Sequence, residues 1–245
     1  FDLQISLEDN TLFNFAKRLI AAETPDLIHV GHPMRMHAFI RAALEMRIPY
    51  ILTLTDFFLL CPKVILAPNL NSLCSGPEKG LACQRLCPEY SESFIAMRLK
   101  AAEMLLKNAY AVTSPSKFLS TMFNQEFAEI KIGIFNHGIS YKSLRKNNRL
   151  YYNDTPLVFG YAGYLLYHKG VHVLLKTFKK LKDVNTKLLV YGPMIEPYSN
   201  KLQQITGEDI RVNFKGSFTT ETISDVFDNI DVLITPSICY ESYSM

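Results

Sequence analysis

The sequence predicts an α/β protein with two parallel-sheet units that face each other across a cleft. Short apolar segments of strand length alternate with longer segments of helical period along most of the chain. Strand, helix, strand at this pace produces a parallel sheet that is covered by helices on both faces. The alternation stops in a charged and polar stretch, residues 142–154, and then restarts. We therefore predict one domain over residues 1–147 and a second over residues 148–245.

The composition narrows the class of protein. Of the 245 residues, 48% are hydrophobic and 20% are charged, which describes a globular chain with enough apolar material for a core. The formal net charge of +3 is too small to argue for nucleic acid, although it permits peripheral contact with an anionic membrane surface. No apolar run approaches the roughly 20 residues that span a bilayer. No signal peptide is visible, so we expect a cytoplasmic protein that can act at the inner membrane surface.

In the first domain, polar residues follow two apolar segments of strand length. His32 comes after the segment 27–30, and Thr55 and Asp56 come after the segment 50–54. Ligands of parallel sheets bind outside the carboxyl ends of the strands, so we place these three residues at a ligand-facing edge. A solvated loop histidine is the alternative interpretation of His32.

The other elements of the first domain continue the alternation. We predict strands over 109–113 and 131–135 and helices over 36–46 and 93–108. Asn10 or Thr11 is predicted to cap a helix near the start of the chain, and Ser114 to cap the helix begun by Pro115. His29 lies within an apolar strand and is interpreted as a core histidine.

The stretch 157–175 organises the second domain. A short apolar strand leads through a loop with Gly160 and Gly163 into a helix that opens near Lys169 and Gly170. Backbone N–H groups and the positive end of the helix dipole attract an anion there, and Lys169 adds a mobile positive charge. Two interpretations stay open, a diphosphate-binding turn and an ordinary strand-to-helix connection. Further elements are predicted as strands over 187–191, 212–214 and 232–235 and helices over 170–181, 194–205 and 220–227.

Four cysteines lie in an irregular segment, residues 61–90, that interrupts the first domain. They are Cys61, Cys74, Cys83 and Cys87. Four thiols so close in sequence could hold a structural Zn²⁺ ion, but the spacing lacks the two close C-x-x-C pairs of a typical zinc site. Three interpretations therefore stay open: a structural zinc site, free buried thiols, and disulfides.

The end of the chain carries a further polar feature. Pro236 and Ser237 terminate an apolar strand, and Glu241 follows four residues after Ser237. A carboxylate just past a strand can accept hydrogen bonds from sugar or ribose hydroxyls, although a surface glutamate in a loop is the alternative. No G-x-S-x-G, H-E-x-x-H or G-x-x-x-x-G-K-[ST] motif is present, which argues against common hydrolases, zincins and P-loop enzymes.

Five segments, in order, resemble the retaining GT-B glycosyltransferases that use nucleotide sugars, the family-four or group 1 type. PDLIHVGHP resembles PDIVHVHH of that family, IPYILTLTDFFLLCP resembles IPVVLTLHDFWLLCP, and NHGIS resembles NGVD. FGYAGYLLYHKGVHVLL resembles F-x-Y-x-G-R-x-x-x-x-K-G-V-x-x-L-L, and DVLITPSICYES resembles DVLVVPS-x-x-x-E-S. The resemblance implies a GT-B fold of two Rossmann-like domains, the second incomplete, in a chain truncated at both ends.

The resemblance also implies roles for individual residues. Lys169 and Glu241 would be the catalytic residues: Lys169 would stabilise charge on the leaving phosphate, and Glu241 would hold hydroxyls of the donor sugar. His32, Thr55 and Asp56 would look across from the acceptor side. The donor-binding residues would be Gly163, Tyr164, Gly170, Gly192, Pro193, Gly216, Phe218, Ser237, Ser242 and Tyr243.

Three departures from the family pattern stand out. Tyr164 occupies the position of an expected arginine, so one of two diphosphate cations is missing or supplied elsewhere. Thr55 occupies the position of an expected histidine, which removes a donor near the sugar. The chain ends before the position of the second glutamate of the E-x7-E motif.

The implied reaction is the transfer of a hexose from a nucleoside-diphosphate sugar to a hydroxyl of a glycan or lipid-linked acceptor. The anomeric configuration would be retained, with the leaving phosphate as base and no cofactor required for catalysis, in the biosynthesis of a polysaccharide or other glycan. One rival is a nucleotide-sugar epimerase on the same scaffold. Another is a non-catalytic, degenerate or lectin-like protein that binds sugar nucleotides, which Tyr164 and Thr55 favour.

Overall fold

The computed structural model describes residues 9–138 and 155–243, which form two compact units. The first unit comprises Phe1–His137 together with Tyr240–Met245, and the second comprises Gly138–Cys239. The boundary predicted after residue 147 lies outside the described residues, so it stays a prediction. No described helix is long and apolar enough to cross a membrane.

The first unit alternates helices and strands around one parallel sheet. Its helices are α1 (Asn10–Glu23), α2 (His37–Glu45), α3 (Leu81–Leu86), α4 (Glu92–Lys107) and α5 (Lys117–Glu126), and its strands are β1 (Ile28–Val30), β2 (Tyr50–Thr53), β3 (Ala111–Ser114) and β4 (Ile132–Ile134). The strands are hydrogen-bonded in the order β1-β2-β3-β4, and all three pairings are parallel. In register, Leu52 lies between Val30 and Val112, and all three side chains are buried in the core.

The second unit contains a second parallel sheet. Its strands are β5 (Leu157–Ala162), β6 (Thr186–Tyr191), β7 (Val212–Gly216) and β8 (Val232–Leu233), and its helices are α6 (Val171–Phe178), α7 (Tyr198–Thr206) and α8 (Ile223–Asp228). The strand order is β7-β6-β5-β8. The chain therefore builds outward from β5 to β7 and then returns to pair β8 with the free side of β5. This reversal makes the carboxyl ends of β5 and β8 the switch point, where open α/β sheets bind their ligands.

The predicted fold class, α/β with two parallel sheets, is confirmed. The predicted caps were wrong by one or two residues. Asp9, not Asn10 or Thr11, accepts a hydrogen bond from the amide of Leu12 at 2.8 Å and caps α1.

Two further expectations for the first unit were also wrong. Ser116, not Ser114, caps α5, because its Oγ is the one within 3.2 Å of the amide of Leu119. His29 is exposed rather than buried in the core, and its Nε2 lies 2.8 Å from Oγ1 of Thr53.

A different histidine, His37 at the start of α2, is fully buried in the first unit. Its ring packs 6.3 Å from the ring of Phe58, and neither ring nitrogen has a hydrogen-bond partner within the described chain. Burial, followed by the nearby Arg98 guanidinium, lowers the pKa of His37 from 6.5 to about 4. The folded first unit therefore holds this imidazole neutral.

We predict that the first unit loses stability as pH falls from about 6.5 to about 4. The folded pKa lies below the unfolded value, so only the unfolded chain takes up the proton in this window. The stabilisation is complete above pH 6.5, and up to about 3 kcal/mol is lost by pH 4. Urea unfolding between pH 4 and pH 7.5 should show a flatter dependence for His37→Gln, whereas His29→Gln, at an exposed site, should follow the wild type. Equal pH slopes in the wild type and His37→Gln would contradict the assignment.

Candidate functional site

Three glycine turns lie side by side at the carboxyl edge of the second sheet. Gly163, Gly192 and Gly216 follow or end β5, β6 and β7, with φ values of 154°, 150° and 77°. The amide of Gly163 donates to the carbonyl of Tyr191 at 3.1 Å, and the amide of Gly192 donates to the carbonyl of Gly216 at 2.8 Å. These bonds join the turns into one layer of backbone above the sheet.

The approach between these backbones leaves no room for side chains. A Cβ atom on Gly192 would lie 2.0 Å from the carbonyl oxygen of Gly163. A Cβ atom on Gly170 would lie 2.0 Å from the carbonyl oxygen of Pro236, in the loop after β8. The same loop is held by the amide of Ile238, which donates to the carbonyl of His168 at 3.0 Å. The loops after β5 and β8 are therefore locked together at the switch point.

Lys169 lies in the connection from β5 to α6, in a 3₁₀ turn (Tyr167–Lys169) that leads into α6. Gly170, with φ 71°, forms the N-cap of α6, so the positive end of the helix dipole points towards the turn. Some amides that an anion could use are bonded within the turn: Lys169 N–H donates to Leu166 and Gly170 N–H to Tyr167, each at 3.0 Å. The site thus offers the Lys169 side chain, the positive end of the helix dipole and glycine backbone without side chains. It does not offer a full set of unbonded amides.

An aromatic support that the sequence did not reveal lies behind the turn. The ring of Tyr167 stacks on His172, with centroids 4.3 Å apart, and Nζ of Lys201 lies 5.3 Å from the centroid of the Tyr167 ring. The Tyr198 hydroxyl accepts the backbone N–H of His172 at 3.3 Å and lies 2.7 Å from its Nδ1.

The Tyr198 hydroxyl and the surroundings of the ring both bear on the state of His172. While it accepts the backbone N–H, the hydroxyl can still donate its own proton to Nδ1 of a neutral imidazole. Burial, then Lys201 and Lys176, lower the pKa of His172. A neutral, stacked His172 thus anchors the first turn of α6 immediately after Lys169.

The other predicted donor-binding residues of the second unit follow the same strand ends. Tyr164 is 63% exposed, and its carbonyl accepts the hydroxyl of Tyr161 at 2.7 Å. Pro193, Phe218 and Ser237 are half-buried in the connections after β6, β7 and β8. The structure therefore brings these residues to the edge that also carries Lys169.

Glu241, Ser242 and Tyr243 belong to the first compact unit rather than to the second. The Ser116 hydroxyl donates to the carbonyl of Ser242 at 2.5 Å, and the ring of Tyr243 lies edge-on to His137 at 5.2 Å. The end of the described chain is thereby packed on β3, α5 and the residues after β4. The sequence did not indicate that these residues pack on the first unit.

The three predicted acceptor-side residues lie close together at the ends of β1 and β2. Nε2 of His32 lies 3.1 Å from Oδ2 of Asp56, and Nδ1 of His32 accepts the amide of Met34 at 3.1 Å. Nε2 therefore carries the proton that is donated to Asp56. The other carboxylate oxygen of Asp56 accepts the amide of Phe58 at 2.8 Å. The buried Oγ1 of Thr55 has no partner among residues 9–138 and 155–243.

The four clustered cysteines, Cys61, Cys74, Cys83 and Cys87, are free thiols that line one cavity of about 10 Å³ in the first unit. In the part of the chain that the structure describes, no three His, Cys, Asp or Glu side chains are already arranged to hold a metal ion. These four cysteines form no disulfide in the structure, so the disulfide interpretation is wrong.

Residues 144–245 match the family model described as Glycosyl transferases group 1. No curated protein sequence matches the chain.

Solved structures with similar folds include three from bacteria. HepE from Anabaena, in complex with UDP and glucose, is 18% identical with a TM-score of 0.66, and the match covers 94% of this chain and 58% of HepE. Sucrose-phosphate synthase from Thermosynechococcus elongatus is 16% identical with a TM-score of 0.63, covering 97% of this chain and 58% of that enzyme. A glycosyltransferase from Rickettsia africae is 14% identical with a TM-score of 0.64, and the match covers 97% of this chain and 57% of that protein. The chain thus spans less than two thirds of the length of these proteins.

We predict that the contact between Gly170 and Pro236 is a main restraint on the second unit. Gly170 and Gly216 have similar φ values, 71° and 77°, but a Cβ atom on Gly216 would meet nothing within 4 Å. Gly216→Ala should therefore cost only backbone strain, about 1 kcal/mol. Gly170→Ala adds the clash with the carbonyl of Pro236 and should cost about 3 kcal/mol or more. If thermal unfolding shows the same loss of stability for both variants, the contact between Gly170 and Pro236 is not a main restraint.

Proposed function

We propose that this chain, whose residues 144–245 match the Glycosyl transferases group 1 family, is a retaining glycosyltransferase. It transfers a hexose from a nucleoside-diphosphate sugar to a hydroxyl group of an acceptor. The observation that carries the proposal is the layer of glycine turns beside Lys169 at the switch point of the second sheet. Both the family match and this geometry concern the same unit of the protein.

The glycine layer suits a diphosphate for two physical reasons. The turns at Gly163, Gly192 and Gly216 carry no side chains at this edge, and the space beside Gly216 is open, so an anion can approach the main chain there. Lys169 and the N-terminal end of α6 supply positive potential at the same edge. Charge that grows on the leaving phosphate during glycosyl transfer would be stabilised by these groups without a metal cofactor.

The residues near Lys169 refine the account of the donor site. Tyr164 replaces the expected arginine, so Lys169 carries a larger share of the diphosphate charge than in the family pattern. The half-buried Phe218 and Pro193 would border the nucleotide. Retention would use the leaving phosphate as base.

The pair His32–Asp56 is our candidate for the acceptor side. The carboxylate accepts the Nε2 proton of His32 and the amide of Phe58, which fixes its orientation at the end of β2. Such a fixed carboxylate can accept a hydrogen bond from a sugar hydroxyl. We place the acceptor among glycans or lipid-linked glycans of a polysaccharide pathway, with the protein in the cytoplasm at the membrane surface.

UDP-glucose is the first donor to test. HepE, whose fold is similar, has been solved with UDP and glucose and with UDP-glucose. The identity of 18% and 19% supports a shared fold, so the base and the sugar come to this chain as part of the proposal.

We predict that one nucleoside diphosphate binds with micromolar affinity and that Lys169→Ala weakens it tenfold or more. Tenfold corresponds to about 1.4 kcal/mol, the scale expected for a lysine that contacts a diphosphate. Calorimetric titration of UDP, GDP and ADP without added metal measures this. Lys180→Ala, which removes an exposed lysine just after α6, is the matched control and should bind as the wild type does.

Turnover of the matching sugar nucleotide separates the enzyme from a binding protein. Slow donor hydrolysis that Lys169→Ala reduces would support the transferase. Tight nucleotide binding without hydrolysis or transfer to any of a panel of glycan acceptors would favour the non-catalytic protein that Tyr164 and Thr55 suggest. If none of the three nucleotides binds, the proposed donor site is wrong.

A further inference from the structure

The proposed transfer reaction does not use four cysteines of the first unit, hereafter the cysteine cluster: Cys61, Cys74, Cys83 and Cys87. They lie between β2 and α4, in a segment where the described regular structure is limited to a 3₁₀ turn (Glu78–Gly80) and the short helix α3. A segment of this length with so little regular structure needs another source of order.

Local hydrogen bonds bring the four thiols together from three separate stretches. The amide of Cys61 donates to the carbonyl of Phe57, and the amide of Cys74 donates to the carbonyl of Leu66, each at 2.8 Å. The amide of Cys87 donates to the carbonyl of Cys83, also at 2.8 Å, so these two thiols lie one turn apart at the end of α3. The backbone therefore fixes where each thiol enters the cluster.

All four thiols border one enclosed cavity of about 10 Å³, a volume of the order of a single small ion or water molecule. The other lining residues are leucines, alanines, prolines and Tyr90. A water molecule would find few polar partners there, whereas four sulfur atoms and no histidine or carboxylate form a soft ligand set. Such a set selects Zn²⁺ in a closed tetrahedral site without an open position for substrate.

The chain between the first two cysteines adopts conformations that need restraint. Val64 has φ 69° and Leu66 has φ 49°, although a β-branched residue at positive φ is strained. Glu78 and Lys79, between Cys74 and Cys83, have φ values of 52° and 56°. A cross-link at both ends of these loops would hold them in place.

A cation lies beside the cluster. Nζ of Lys63 forms an ion pair with Glu89 at 2.6 Å and also donates to the carbonyl of Pro68, which lines the same cavity as the four cysteines. Four thiolates around Zn²⁺ carry a net charge of −2, and the ammonium group of Lys63 would offset part of it.

We propose that the cysteine cluster is a structural zinc site that orders the segment between β2 and α4. Since no three potential ligands in the described residues already form a metal-binding group, the four thiols must turn inward about their side-chain bonds to close on the ion. Each thiol loses its proton, so one Zn²⁺ ion binds and four protons are released, with no change of oxidation state. The site is independent of the proposed transfer reaction.

Metal analysis of the purified chain tests the proposal. Plasma mass spectrometry should find one zinc ion per chain, and Cys83→Ser should lose most of it. Cys239→Ser removes the remaining cysteine, which lies in the second unit, and should retain the full zinc content. The proposal is overturned if the wild type contains no zinc and its thiols react at once with a thiol reagent. It is also overturned if Cys83→Ser keeps its zinc, or if the intact mass shows disulfides.

A second measurement avoids relying on a variant that fails to fold. The wild type, exchanged into Co²⁺, should show the intense thiolate-to-cobalt absorption of a tetrahedral sulfur site. A strong chelator should abolish it and lower the thermal midpoint of the first unit but not that of the second. Because cysteine protons compete with the metal, acidification should release it. Cobalt spectra without thiolate bands would overturn the proposal whatever the outcome of the nucleotide titrations.

Discussion

The close approach of main chain to main chain at the carboxyl edge of the second sheet is the constraint on which the candidate donor site depends. A Cβ atom on Gly192 or Gly170 would lie 2.0 Å from a carbonyl oxygen of another loop, that of Gly163 or Pro236, so main chain packs directly on main chain at both glycines. The return of β8 beside β5 places Pro236 against Gly170 and so closes the layer. Strand order, turn conformation and position of Lys169 are thus consequences of the same arrangement. Contacts between main-chain atoms therefore determine the shape of the site, and this main chain positions the side chains.

The first unit reaches order by a different route. Its sheet and helices bury a continuous core, but the segment between β2 and α4 crosses the unit with little regular structure of its own. The buried His37 packs against Phe58 in this segment, and Cys83 and Cys87 are buried within it. Because the folded unit holds the His37 imidazole neutral, the stability of the first unit depends on pH.

The sequence predicted what depends on local pattern and missed what depends on distant partners. The strand, the glycine loop and Lys169 could be predicted because period, turn residues and helix start lie within one stretch. The proximity of His32 and Asp56 followed from the rule that parallel strands end at one edge. The support of the Lys169 turn by Tyr198 was not predicted, because a contact 26 residues away along the chain leaves no periodic signal. The cap at Ser116 was missed because Ser114 and Ser116 are both suitable cap residues. Only the backbone conformation decides which of them lies at the start of the helix.

The central claim, that the glycine layer holds the donor diphosphate, is tested most directly by hydrogen–deuterium exchange with and without the nucleotide that binds. The account predicts slower exchange in peptides that cover residues 161–171, 191–194 and 214–219, with smaller changes elsewhere in the second unit. Measured nucleotide binding without protection in these three peptides would contradict it.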